Sequence, residues 1–259
     1  MRSRALLFAL FGILALFSTA AVARAGTRYP AVVLADHPLA YWRLDEMRGS
    51  VAHDSSGHHF DGAIGAHVKI GQPPIVAGSG ASMEFSGVDK SVSGQDVRVR
   101  GKHAFELTNK LTVEAWIYPY NIAVYGKNNG EITIVAYGRD DNPDNNHCRY
   151  ALELDAPSKV FHFPTVLYGK LMDPPRVTGL HSLIARIAYL FAGDARNIHE
   201  LYAAQNSIGN PPQTRHLYHL VGTYDGQTLR FYINGQLNNV MHVTGHVDGY
   251  QDPNISGVA

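Results

Sequence analysis

The segment from His219 to Val243 constrains this chain most. Three short runs, Leu220 to Tyr224, Thr228 to Ile233 and Gln236 to Val243, are separated by Asp225-Gly226 and Asn234-Gly235. Both dipeptides tolerate the positive φ that tight hairpin turns demand, so two in succession predict a three-stranded antiparallel meander. Leu111 to Pro119 adds a strand that alternates cleanly. Leu111, Val113, Ala115 and Ile117 fall on one face, Thr112, Glu114, Trp116 and Tyr118 on the other, and Pro119 ends it. Further strands are expected over Ala40 to Leu44, Ser82 to Phe85, Val97 to Arg100, Ile132 to Tyr137, Tyr150 to Leu154 and Val160 to Phe163. The composition fits a turn-rich β protein, with 25 glycines, 14 tyrosines, 13 prolines and only 17% charged residues. The expected class is therefore all-β, an antiparallel β-sandwich or jelly roll. Balanced charge, 22 basic against 22 acidic side chains, removes the electrostatic footprint of a nucleic-acid binder.

One stretch departs from this pattern. Leu180, Leu183, Ile184, Ile187, Leu190 and Phe191 have helical spacing, with Pro174-Pro175 before them and Gly193-Asp194 after. Asp194 is suited to cap a second short helix from Ala195 to about Ala204, carrying Ile198, Leu201 and Tyr202 on one side. Residues 165–214 thus read as a helical insertion between strands. Its apolar stripe either packs back on the sandwich or serves as a lid or partner-binding face.

The first 25 residues read as an export signal rather than as part of the fold. Arg2 and Arg4 form a basic start, Ala5 to Phe17 an uncharged apolar run, and Ala23-Arg24-Ala25 a small-x-small cleavage site. The other reading is an uncleaved anchor, but the run is shorter than the roughly 20 residues of a spanning helix. No membrane span is expected after cleavage. Removal takes three arginines and no acids, so the mature chain, residues 26–259, is mildly acidic. Cys148 is the single cysteine, which rules out an internal disulfide and a four-thiolate metal site.

Five motifs, in order along the chain, carry a resemblance. Tyr41-Trp42-Arg43-Leu44-Asp45-Glu46 is followed by Asp54-Ser55-Ser56-Gly57 and Asp61-Gly62. Met83-Glu84-Phe85-Ser86-Gly87, Leu111 to Pro119 and Tyr150-Ala151-Leu152 come next, and then His219 to Gly226 with Leu229 to Gly235. Together these resemble the laminin-G-like (concanavalin A-like) jelly-roll domains, a family of glycan- and protein-binding modules often fused to enzymes. Two departures accompany the likeness. The 165–214 segment stands where the family has a short strand and loop. The family's closing Gly-x-Ile-Asp-Glu-Val strand would follow Asn254 to Ala259, so the likeness implies a C-terminally truncated domain.

The resemblance also implies a structural calcium ion, with Asp54 and the carbonyls around Gly57 and His59 as contributors; an Asx-turn at Asp54 is the alternative. Asp140, Asn142 and Asp144 have alternate EF-hand-like spacing, but Asn145 holds the glycine position and Ala151 the glutamate position. A solvated rim loop that meets a ligand is the better reading of that cluster. Glu153 and Asp155 share a strand face as in the glucanases of this fold, but the third acid is missing and Pro157 follows; they read as outward polar positions. The 14 histidines contain no helical metal-binding pair with a helper acid. Trp42 and Trp116 match family core positions and are assigned to packing.

Tyr118, Tyr120, Tyr125 and Tyr137 lie near loop ends and offer aromatic faces to the C–H faces of sugars, or simply cover the core edge. The reading that unites these features is an exported, non-catalytic module recognising a glycan or extracellular protein through rim loops. A polysaccharide-acting enzyme or its accessory domain, and a structural or adhesive module of a larger surface protein, remain as alternatives. Secreted protein should begin at Gly26, which intact-mass measurement checks; a mass retaining Ala5 to Phe17 would instead identify an anchor.

Overall fold

The computed structural model describes residues 28–86, 94–100, 103–107, 109–122, 131–137, 149–155, 159–168, 197–203, 211–243 and 245–247. The described chain opens with helix α1 (Arg28–Ala35), followed by β1 (Val51–Ala52), β2 (Gly62–Ile64), β3 (Lys69–Gln72), β4 (Ser82–Glu84) and β5 (Val97–Arg98). The long strands are β6 (Leu111–Ile117), β7 (Glu131–Tyr137), β8 (Tyr150–Asp155), β9 (Val160–Tyr168), β10 (Asn197–Tyr202), β11 (Tyr218–Tyr224), β12 (Thr228–Ile233) and β13 (Gln236–His242). β14 (His246–Val247) is a short addition to β9. Every pairing among the described residues is antiparallel, and the protein is mostly β.

Two sheets form the body of the sandwich, in the orders β10-β9-β8-β7 and β13-β12-β11-β6. Leu152, Leu154, Phe161 and Phe163 from the first meet Leu220, Tyr224, Leu229, Phe231 and Ile233 from the second in one apolar core. Phe161 packs edge-to-face on Tyr218, with ring centroids 5.1 Å apart. β11 obeys strict alternation, with Tyr218, Leu220, Gly222 and Tyr224 buried and His219, Val221 and Thr223 between them on the outer face. Gly222 faces Phe163 of β9 across the core. A Cβ there would lie 2.6 Å from the Phe163 ring, so the aromatic occupies the space a side chain would need.

The meander forms as its turns require. Asn234 and Gly235 both have positive φ, 52° and 76°, and connect Ile233 directly to Gln236 in a two-residue hairpin. Asn234 Oδ1 also accepts the His219 N–H at 2.9 Å, which ties the turn to the start of β11. The other turn is longer. Asp225 Oδ1 accepts the N–H groups of Gln227 and Thr228 at 2.9 and 2.8 Å, and Gly226 sits at φ 98°. In edge strand β13 the register shifts: Phe231 faces Asn239 and Tyr232 faces Leu237, so Asn238 is an extra residue that bulges the strand.

Three expectations change. Asn197–Tyr202 is not a second helix but a strand, paired residue for residue with His162–Leu167 of β9. Its apolar spacing over six residues satisfied either geometry, and the backbone ladder offered by β9 decides it. β9 also runs on to Tyr168, so a regular strand enters the segment read as an insertion; Leu180 to Phe191 lies outside the described residues. Ala40 to Leu44 makes only an isolated bridge, Trp42 with Asp54, and Leu44 has φ 55°, which breaks an extended run. Helix α1 follows the predicted cleavage site and carries Pro30 in its first turn, where its missing N–H costs nothing. Among the described residues no helix is long and apolar enough to cross a membrane.

Gly222→Ala should destabilise the protein by about 1–3 kcal/mol, because Phe163 must leave its rotamer or the sheets must separate. Urea unfolding would show a lower midpoint at unchanged slope. A wild-type midpoint would show that Phe163 yields without cost.

Candidate functional site

The predicted rim tyrosines divide. Tyr118 and Tyr120 flank Pro119 just beyond β6, edge-to-face at 5.3 Å and 75°, and Tyr120 is 60% exposed. Pro119 accepts the Arg215 N–H at 2.7 Å, which draws the exposed 213–216 turn to the same rim. Tyr137 goes elsewhere. It is 4% exposed, stacked on Tyr150 at 5.4 Å and covered by the Arg149 guanidinium at 5.6 Å, and it belongs to the core cluster. Tyr125, Asp140, Asn142 and Asp144 lie outside the described residues.

The Asp54 turn is a backbone clip. Oδ1 accepts the Tyr41 and Ser56 N–H groups, both at 2.9 Å; Oδ2 accepts the Ser56 hydroxyl at 2.7 Å and the Phe60 N–H at 3.0 Å. Two bonds per oxygen use the acceptor capacity of the carboxylate. Burial pushes its pKa up, but the donors from Tyr41, Ser56 and Phe60 outweigh burial and hold it below the usual range. Gly57 at φ 93° and His59 at φ 63° supply the turn, and His59 is exposed. What converges on Asp54 is N–H and O–H groups, which a cation would have to displace. Among the described residues no three His, Cys, Asp or Glu side chains gather as a metal site would require.

Glu153 points away from the core as expected, yet it is not solvated. It is 2% exposed; Oε1 accepts the Thr133 hydroxyl at 3.1 Å and Oε2 lies 3.5 Å from His162 Nε2. Ala136 and Ala151, on the same outer face of this sheet, are also buried. Trp42 meets the core edge, donating to the Phe60 carbonyl at 2.7 Å and lying against Phe105.

Trp116 does not join the core. The alternation of β6 carries it to the outer face of the four-stranded sheet, where it stacks on His219 of β11 with centroids 4.4 Å apart and planes 14° apart. Tyr29 of α1 meets the indole edge-on at 5.8 Å and 87°. The Tyr29 hydroxyl accepts from Trp116 Nε1 at 2.5 Å and donates to Glu114 Oε1 at 2.6 Å. His219 Nε2 lies 2.9 Å from the same oxygen. His219 first, and the Tyr29 hydroxyl next, hold the Glu114 carboxyl below the usual range against the effect of burial. Burial, and donation to Glu114, push the Tyr29 phenol up.

Tyr118 follows Trp116 by two residues, about 7 Å along an extended chain. The outer face therefore carries an aromatic strip of Tyr29, Trp116 and His219 with Glu114 beside it, and the Tyr118–Tyr120 pair lies just beyond the end of β6. The signal for this strip was present in the alternation Glu114, Trp116, Tyr118; assigning Trp116 to packing by resemblance passed over it.

Residues 188–259 match a laminin-G family model, described as the concanavalin A-like lectin/glucanases superfamily. The match takes in β10 and the whole meander. No curated protein matches the chain.

Asp54→Ala should cost about 1.5–3 kcal/mol at pH 7, because four donors lose an ionised partner. The depressed folded-state pKa makes this contribution complete above the unfolded value of 3.8, and it is lost as pH falls through the folded value. Urea unfolding of both proteins at pH 7 and about pH 3 should show the gap closing in acid. A gap that stays constant would place the effect in packing instead.

Proposed function

We propose that this chain is an exported, non-catalytic module that recognises a glycan or an extracellular protein through the aromatic strip from Trp116 to Tyr120. The observation that carries this is the strip itself. Apolar ring faces and edges lie beside an ionised carboxylate and exposed backbone turns at the end of a sandwich sheet, the combination that takes the C–H faces and hydroxyls of a sugar. The likeness over residues 188–259 to lectin-type modules supports both this class and an extracellular location. The jelly-roll strand order and the helical insertion over 165–214, with its apolar run from Leu180 to Phe191, belong to the same proposal.

Catalysis is not part of this reading. A glycosidic bond must reach its acid and nucleophile, and Glu153 is 2% exposed. Calcium near Asp54, Gly57 and His59 is dispensable in it, since the Asp54 oxygens already accept four bonds. The melting temperature is expected to be equal in calcium and in chelator; a rise of several degrees with calcium would assign the ion a structural role.

A glycan array probed with the protein from Gly26 onward, run with and without chelator, tests the main reading. Binding without turnover is expected, and Tyr120→Ala should weaken it about fivefold, as loss of one exposed stacking ring does. Depolymerisation of a polysaccharide would establish an enzyme. A blank array together with capture of a defined cell-surface protein would establish the adhesive alternative.

A further inference from the structure

We propose that Tyr29 occupies a saccharide subsite on the outer sheet face, and that α1 is a strap which must swing aside before an uncharged pyranose ring can bind there. The inference rests on the glycan reading above and names a site within it. Tyr29 presents a six-membered ring bearing a hydroxyl, and that hydroxyl bridges an indole N–H and a carboxylate oxygen. A sugar hydroxyl, donor and acceptor at once, fits the same two partners. The pyranose ring then takes the volume of the phenol ring against Trp116, whose plane is fixed by the stacked His219. Glu114 makes the subsite acidic, which selects neutral sugars over uronates and sulfated chains.

The strap is built to move. α1 has eight residues, too few to be stable without its docking contact, and no side chain from Tyr29 to Ala35 is charged. Only Tyr29, Pro30 and Val33 are half-buried over that stretch, while Val32 and Leu34 are 59% and 39% exposed. Beyond the helix, His37 sits at φ 51°, and the chain is next pinned where Leu39 packs on the core and its carbonyl accepts the Ser56 hydroxyl at 3.3 Å. Residues 36–38 are thus a hinge between a weakly held helix and a firmly clipped turn. Opening exposes Trp116 and vacates the Tyr29 position on Glu114 Oε1, which His219 Nε2 still faces at 2.9 Å.

The test compares the chain from Gly26 onward with Tyr29→Ala, Tyr29→Phe and Trp116→Ala, with circular dichroism confirming that each is folded. Laminarin and xylan serve as neutral probes and heparin as the anionic one, in affinity electrophoresis. Removing the strap's anchor should tighten binding of a neutral polymer about tenfold, as release of a closed state does. Tyr29→Phe should give part of that gain, Trp116→Ala should lose binding, and heparin should not respond. In a Trp42→Phe background, Tyr29→Ala should also raise acrylamide quenching of the remaining tryptophan. Equal binding by native and Tyr29→Ala chains, binding retained by Trp116→Ala, or no neutral polymer bound by either would overturn the proposal. A glycan found on the array whose binding ignores both Tyr29 and Trp116 would overturn this subsite while leaving the module reading intact.

Discussion

At Gly222 the backbone of β11 comes so close to β9 that the Phe163 ring fills the place of a side chain. This contact sets the parity of the whole sheet. With Gly222 inward, Tyr218, Leu220 and Tyr224 must be inward as well, and His219 must face out. Because β6 pairs with β11 at Leu220–Ala115 and His219–Trp116, the same parity brings Trp116 to the exterior beside His219. A slip of one residue would bury the histidine and put Leu220 in water. The exterior aromatic strip is therefore a consequence of how the interior closes.

The two sheets differ on their outer faces. On the β7–β8–β9 face, Ala136, Ala151 and Glu153 are buried, so that surface is spent on the protein's own structure. The outer face of the other sheet is half-open, with His219, Val221, Thr223, Arg230 and Tyr232 partly exposed. Among the described residues, this is the more open of the two faces, with helix α1 lying on it at Trp116.

Local signals were legible in proportion to how local they are. Asn234-Gly235 fixed a two-residue turn, and the alternation of Leu111 to Ile117 fixed a strand and its faces, because each depends on neighbours in sequence. β10 was misread as a helix because six residues carry too little periodicity to outweigh an available partner strand. Tyr137 looked like a loop-end aromatic, yet Tyr150 and Arg149 bury it. Asp54 was visible as an acid in a turn, but the donors from Tyr41 and Phe60 that saturate it come from outside that turn. Tyr29 was invisible as a site residue, since it meets Glu114 and Trp116 across 85 and 87 residues of chain. No spacing rule spans such a distance.

The bulge in β13 has a bearing on how the molecule behaves at high concentration. Among the described residues β13 ends its sheet, with Leu237 and Val240 exposed on it, and a flat strand of that kind would template a second chain. The extra residue at Asn238 divides it into two short halves out of step with each other. An incoming strand that matches one half mismatches the other, so neither offers more than four residues of continuous pairing. A packing irregularity on the edge thereby acts as protection against fibrous self-assembly.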